Sequence, residues 1–526
     1  MTNDPASIAA ALRTLAVYAV CSVLAIVLGV LMTNPLTYSA LGFVAVLCAA
    51  MFIPLLLRWH HPLMILCWNA PIYAFFVKGN PKFCLVMVTI SLAISIAERA
   101  LNQRHFIYVS RITWPLLFLI GVIGITAKLT GGIGLHAFGS DVYGGKKYVF
   151  LIVGILGYFA MIARRIPPEK AQKYVAIYFL GGVSSCIGDF ASVVPGFLHP
   201  IFWLIPPMTY YDAGSFSVGN TRLVGTAWAS VSFINFLIAL YGIRGIFLSG
   251  KIWRPVVFFV AVGLVFLGGF RSALIAVCLT VALQFFLEGM HRTRLMPFFL
   301  LGALAIMAAA IPMASKLPFT FQRTLAFLPE GMIHLSSDAR MEAQSSTDWR
   351  LDMWQALLPQ IPKHLLLGKG YAISTEDMAV MGADSAIHTA NAEDQGLALS
   401  GDYHSGPLSV ILPFGIWGVI AFLWFTYTSL QVVYRNYRYC KPELRLVNSF
   451  LFTSYIVGMI SFYFIAGGLS DAMLGFCGML GLSIGLNNGV CRAPVTTTKN
   501  ILFKRPYIRL KPQAAFQHRT TGANPL

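Results

Sequence analysis

The sequence predicts an all-α protein, a polytopic bundle of about 12–14 transmembrane helices with one large outer loop containing short amphipathic helices. Three observations lead there. Apolar runs of about 18–25 residues recur from end to end, the length a helix needs to cross the hydrocarbon of a bilayer. Mean hydropathy is +0.72, with 57% hydrophobic and 11% charged residues, a balance that excludes a water-soluble globular protein. Residues 314–405 form the one long polar stretch among those runs.

Taken in order, the spans fall at 14–33, 37–57, 62–77, 83–98, 112–127, 147–163, 173–191, 223–242, 255–269, 272–288, 295–313, 406–433, 448–467 and 472–489. The pairs 62–77/83–98 and 255–269/272–288 are joined so tightly that each can be read as re-entrant or merged. Residues 1–33 lack a small-x-small cleavage site after their long apolar run, so they read as a retained first helix. The chain then divides into four regions: a bundle of about eleven spans over 1–313, the loop 314–405, the helices of 406–489, and a basic tail over 490–526.

Lysine and arginine give the orientation. With the N-terminus inside, every predicted inner loop is basic, and 25 of the 38 Lys and Arg residues lie on that side. Both termini are then cytoplasmic and the 314–405 loop faces outward. The formal charge of +18 sits where topology and anionic membrane lipids call for it, so nucleic acid is not implied as a partner. The outer loop departs from this pattern, holding 11 of the 20 acidic residues against six Lys or Arg. All nine cysteines fall in spans or on the inside. Without disulfides, any fold in the loop depends on packing against the bundle.

Carboxylates, arginines and a histidine gathered at one water–lipid boundary suit chemistry on a substrate with a polar head and an apolar tail. Arg350 stands in Asp348-Trp349-Arg350-Leu351-Asp352-Met353-Trp354. Trp349, Met353, Trp354, Leu357 and Leu358 recur at helical spacing, which predicts a short amphipathic helix along the outer surface until Pro359 and Pro362 stop it. The plain alternative is a surface helix with interfacial tryptophans. The functional reading aims Arg350 inward, four residues from Trp354, where its fork can bind two phosphate oxygens at once without losing its charge.

Arg271 follows Gly268-Gly269-Phe270 at the outer start of a span, and Arg222 closes Gly219-Asn220-Thr221-Arg222 at another. Either could merely snorkel at a helix end. Arginines on the outer side run against the charge bias, however, and three at one level could clamp an anion. His404 lies two residues from Asp402 and just before Gly406-Pro407 opens the next span. A neutral imidazole with a reference pKa of about 6.5 can accept a proton there. Asp384, His388, Glu393, Asp394, Asp402 and His404 also offer metal ligands, but their spacing matches no compact metal motif. No phosphate-binding glycine loop or G-x-S-x-G elbow occurs, so neither a metal nor another cofactor is expected.

These residues, in this order, resemble the O-antigen ligase and O-antigen polymerase family of bacterial envelope proteins over about residues 214–430. The matching pieces begin with Gly219-Asn220-Thr221-Arg222-Leu223-Val224-Gly225-Thr226 and Gly269-Phe270-Arg271-Ser272-Ala273-Leu274. They continue through Arg350-Leu351-Asp352-Met353-Trp354, Leu367-Gly368-Lys369-Gly370 and His404-Ser405-Gly406-Pro407-Leu408 to Phe414-Gly415-Ile416-Trp417-Gly418. The resemblance implies a metal-independent glycosyltransferase in the bacterial inner membrane, moving a glycan from undecaprenyl diphosphate at the periplasmic face. It makes His404 the general base and Arg271 and Arg350 the diphosphate-binding arginines, with Arg222 beside them and Asp402 and Trp354 in support. The acceptor it implies is lipid A-core for a ligase, another lipid-linked glycan for a polymerase, or a protein hydroxyl. The chain departs from the family at Ser405, where many relatives have asparagine, and at Trp228-Ala229-Ser230, where asparagine is also common. A secondary transporter is the rival from another class, but transporters place ionisable groups near mid-membrane and these spans hold almost none, Asp189 near a span end being the nearest case.

Overall fold

The computed structural model of the chain describes residues 38–77, 79–102, 106–131, 144–207, 222–294, 296–329, 331–373, 401 and 403–493, with isolated helical positions between 14 and 29. Residues 1–491 form one compact unit and 492–526 a second. Among the described residues the fold is α-helical, with an isolated bridge between Tyr73 and Lys82. The helices are α1 (Tyr38–Cys67), α2 (Phe83–Asn102), α3 (Ser110–Thr130), α4 (Gly145–Ile162), α5 (Ala171–Leu180), α6 (Val224–Phe247), α7 (Trp253–Val265), α8 (Arg271–Leu287), α9 (Met296–Met313), α10 (Phe319–Leu325), α11 (Ser337–Leu357), α12 (Gly406–Tyr439), α13 (Arg445–Ile460) and α14 (Leu469–Asn487). Seven of the described helices are long and apolar enough to cross a membrane, α2, α3, α4, α6, α12, α13 with its flanking turns, and α14. Shorter apolar helices add 52–67, 253–268 and 271–287. The chain is a multi-pass membrane protein.

One pair of expected spans is corrected. Residues 37–57 and 62–77 do not make two crossings: α1 runs unbroken through Pro54 and Pro62 to Cys67, and turns with the Tyr73–Lys82 bridge connect it to α2. The sequence suggested a break because Arg58-Trp59-His60-His61 looks like a polar loop. In the fold, His60 and His61 are buried, with His60 Nδ1 2.8 Å from Ser91 Oγ and His61 Nε2 3.1 Å from the Met161 carbonyl oxygen. Each imidazole thus has a partner for one ring nitrogen inside the bundle, while His60 Nε2 is buried without one among the described residues. The expected span 173–191 is α5 continued by a 3₁₀ segment, Gly181–Phe190.

Helices α4 and α14 pack against each other at the centre, with an apolar core on either side of them. Small residues let them approach, as membrane helices without a hydrophobic driving force between them require. At Gly481 a Cβ would collide with Met161. One cluster of polar groups inside the bundle is mutually satisfied. Gln284 Nε2 donates to Ser449 Oγ and to Glu288, and its carbonyl accepts from Thr453 Oγ1 at 2.8 Å. Asp189, on the 3₁₀ segment, accepts the backbone N–H groups of Gly225 (3.0 Å) and Thr226 (2.5 Å). It therefore caps the first turn of α6 and fixes the point where the chain bearing Arg222 enters the bundle.

The second half of the molecule is built around a broken helix. α12 leaves helical geometry at Gly415 (φ 60°, ψ −157°), two residues after Pro413. The polar groups freed by that break are met by the outer loop. Lys369 and Gly370 N–H donate to the Leu412 and Pro413 carbonyls (2.7 and 3.0 Å), and Ile416 N–H donates to Leu365 (2.7 Å). Thr126 of α3 holds the Leu367 carbonyl at 3.2 Å. Gly368 has φ +76°, and a Cβ there would collide with the Pro413 carbonyl. Irregular backbone at a helix break persists in a membrane protein where protein groups satisfy it, and the Leu367-Gly368-Lys369-Gly370 motif does so here.

Candidate functional site

Four guanidinium groups surround one cavity of about 390 Å³, those of Arg222, Arg271, Arg323 and Arg350. Each comes from a different element. A 3₁₀ turn, Phe266–Gly268, ends α7, and Gly269 (φ +66°) reverses the chain so that Arg271 becomes the first residue of α8. Leu223 N–H donates to Leu267 at 3.1 Å, pinning the entry to α6 against that turn. Arg222 Nε then reaches the Gly268 carbonyl at 3.1 Å, and its guanidinium lies 4.5 Å over the Phe270 ring. Such stacking holds the fork in one plane.

The other two arginines come from the outer loop. Sequence periodicity predicted a short helix around Trp349, but the observed α11 begins at Ser337 and runs 21 residues to Leu357. Its first half is polar and so gives no apolar signal. What starts it is Ser336, whose Oγ accepts Ala339 N–H, while Ser336 N–H is itself held by Gln322 at 2.7 Å. Arg271 docks this helix by donating from Nη2 to the Ala343 carbonyl (2.9 Å) and Thr347 Oγ1 (3.1 Å). Arg323 of α10 forms an ion pair with Glu342 of α11. Phe321 of α10 stacks on Phe266 at 5.0 Å. The part of the loop that is described is thus folded onto the bundle, through groups that also build the cavity.

The electrostatics favour an anion. Four positive side chains line the cavity, and one of them, Arg323, pairs with the Glu342 carboxylate. Burial, reinforced by the Arg323 guanidinium, pushes Arg350 below the usual arginine range; it stays charged at any physiological pH. Arg350 Nε is buried and has no hydrogen-bond partner among the described residues. The cavity also opens on the N-terminus of α8, with Ser272 in its wall, where unpaired backbone N–H groups and the helix dipole add positive potential.

His404 is beside this cavity and not in its wall. Its ring meets Trp349, the residue before Arg350, edge to face at 5.3 Å between centroids. Its backbone is in the left-handed region, φ +45°, an uncommon conformation for a side-chain-bearing residue that clusters at functional sites. Two contacts hold it there. Trp354 Nε1 donates to the carbonyl of Tyr403 at 2.9 Å, and Tyr403 is buried, its phenol pushed up to about 12 by that burial. Gly406 lies directly against the Phe462 backbone, in the π-helical turn Ser461–Ile465 whose Phe464 and Ile465 line the cavity.

The fold therefore brings Arg222, Arg271 and Arg350 to one cavity and places His404 against Trp349, the residue before Arg350, with Trp354 bonded to the Tyr403 carbonyl. Asp402 lies outside the described residues, as do Asp384, His388, Glu393 and Asp394 of the metal-ligand set. Among the described residues no three His, Cys, Asp or Glu side chains cluster as metal ligands. Arg323 is the addition that sequence reasoning missed. Its signal was present, since it is another outer-side arginine against the charge bias, but it carries no glycine motif and no amphipathic pattern.

Residues 256–423 match the family model described as O-Antigen ligase. This stretch belongs to the O-antigen ligase family. It runs from α7 through the outer loop to the middle of α12, and so contains three of the four cavity arginines and His404. Over this stretch the match supports a membrane enzyme of the O-antigen ligase and polymerase type. A comparison with curated proteins finds no match.

Proposed function

We propose that this protein transfers a glycan from undecaprenyl diphosphate to an acceptor hydroxyl at the periplasmic face of the bacterial inner membrane, as an O-antigen ligase. The observation that carries the reading is the cavity walled by four arginines at the N-terminus of α8. The donor's diphosphate diester carries two negative charges. When the glycan leaves, the polyprenyl diphosphate gains a third. Fixed guanidinium groups in a poorly hydrated cavity stabilise that added charge most in the transition state, which is where stabilisation accelerates the reaction.

His404 accepts the proton of the acceptor hydroxyl as its oxygen attacks the anomeric carbon, and the C–O bond to the diphosphate breaks. The sugar extends from the cavity past Trp349 to reach the imidazole. Diphosphate leaves readily, so no separate acid is required, and a single displacement inverts the anomeric centre. The energy is that of the donor bond, and the mechanism calls for no metal and no nucleotide. Orientation follows the charge bias, with the outer loop periplasmic and the C-terminal tail cytoplasmic.

Purified protein incubated with synthetic undecaprenyl-diphosphate glycan and lipid A-core tests this directly. Transfer should occur at equal rates with and without chelator, and His404→Ala should lower it by roughly 10²–10⁴-fold, the usual share of a general base. Full activity of that variant removes His404 from the mechanism. A polymerase would use the same donor site, and a deletion strain tells the two apart: loss of a ligase leaves long unattached chains, loss of a polymerase leaves single repeats.

A further inference from the structure

Phe464 lines two hollows at once. On one side is the arginine cavity; on the other is a groove of about 510 Å³ between α12 and α13. The groove is walled by Leu430, Tyr434, Phe452, Ile456, Met459 and Tyr463, among others, and presents almost no polar surface. From Phe464 it follows α13 back to Phe452, twelve residues or about 18 Å at helical rise. That is more than half the thickness of a bilayer's hydrocarbon core. Phe464 is 83% exposed and stands on the π-helical turn Ser461–Ile465, a rare geometry found most often at functional positions.

A hollow rich in guanidinium that meets a hollow of aliphatic and aromatic side chains at Phe464 has the polarity of one kind of molecule, a diphosphate bearing a long hydrocarbon tail. We propose that the α12–α13 groove is the seat of the donor's polyprenyl chain, with Phe464 at the junction of head and tail. This rests on the diphosphate reading of the cavity. It adds a direction: the chain leaves the head group along α13 on the lipid-facing side of the bundle. An isoprenoid can therefore slide in laterally from the membrane without passing through the protein. The wall shared with the arginine cavity at Phe464 selects this occupant over an annular phospholipid, whose head group brings a single phosphate to a cavity lined by several guanidiniums.

The test separates the groove from the cavity by using two probes on the whole protein in nanodiscs, undecaprenyl diphosphate and inorganic diphosphate. Leu430→Trp and Ile456→Trp each fill the groove from a partly exposed position, and size-exclusion profiles check that both variants fold. Each should weaken undecaprenyl diphosphate binding by roughly tenfold or more, the cost of turning a few buried methylene groups out of the groove, and leave inorganic diphosphate unchanged. Arg350→Ala should weaken both probes. A polyprenyl diphosphate carrying a photoreactive group in its tail should label α12 and α13. If the tryptophan variants bind both probes as the parent does, or the label goes elsewhere, the groove proposal is overturned while the cavity reading stands. If inorganic diphosphate fails to bind and Arg350→Ala changes nothing, the cavity reading itself is overturned. A phospholipid that stays in the groove when undecaprenyl diphosphate is bound also overturns the proposal.

Discussion

Guanidinium groups crowded into one partly buried cavity repel each other, and the repulsion is tolerable because each is held by something else. Arg271 is held by the Ala343 carbonyl and Thr347, Arg222 by Gly268 and the Phe270 ring, Arg323 by Glu342. Arg350 has the least visible support. Its Nε is buried without a partner among the described residues, which marks it as the side chain whose hydrogen bonds a ligand completes. Arg350→Lys keeps the charge and loses the fork, so donor transfer should fall by roughly 10- to 100-fold in kcat/KM; parent-level rates would show that charge alone suffices. Arg323→Lys should cost less, because Arg323 already spends part of its fork on Glu342. Steady-state kinetics of the two variants side by side check the ranking. A reversed order would make Arg323 the principal ligand.

Among the elements, the broken α12 and the loop segment that repairs it are the most dependent on local chemistry. Gly368 is confined by its positive φ and by the Pro413 carbonyl, so Gly368→Ala must either strain the backbone or push the loop out of the break. Either route exposes carbonyls inside the membrane bundle, and the loss should be about 2–4 kcal/mol. Thermal unfolding in detergent measures it, and an unchanged midpoint would mean the loop does not close the break. The same reasoning explains α11. Its apolar half was legible as a periodic face, whereas its polar half forms because Ser336 and Gln322 organise its start and Arg271 holds its flank.

For the whole molecule, orientation decides whether the cavity faces the periplasm. The proposed side is set by the basic loops after α2, whose charge bias does not depend on how many crossings precede that helix. Single cysteines placed at Met341 and at Arg438, in a background with the nine native cysteines replaced, should report this. A membrane-impermeant thiol reagent added to intact cells should label the first and not the second. The opposite pattern would put the arginine cavity on the cytoplasmic side and end the proposed periplasmic transfer.

Composition and the length of the apolar runs, by themselves, determined the helical membrane bundle and most of the helix positions, because a segment that must satisfy its backbone in lipid has few options. Arg222, Arg271, Arg350 and His404 were also legible, since charge on the less basic side of a membrane protein is conspicuous. Tertiary structure alone decided that the three arginines share a cavity, that Arg323 completes it, and that His404 stands beside it against Trp349. It also merged two expected spans, because the buried histidines that looked like a loop find partners on α2 and α4. The reason is the same throughout. Burial in lipid acts on each segment singly and leaves its mark in local composition, while a site is made by groups distant in sequence whose pairing the order of residues does not record.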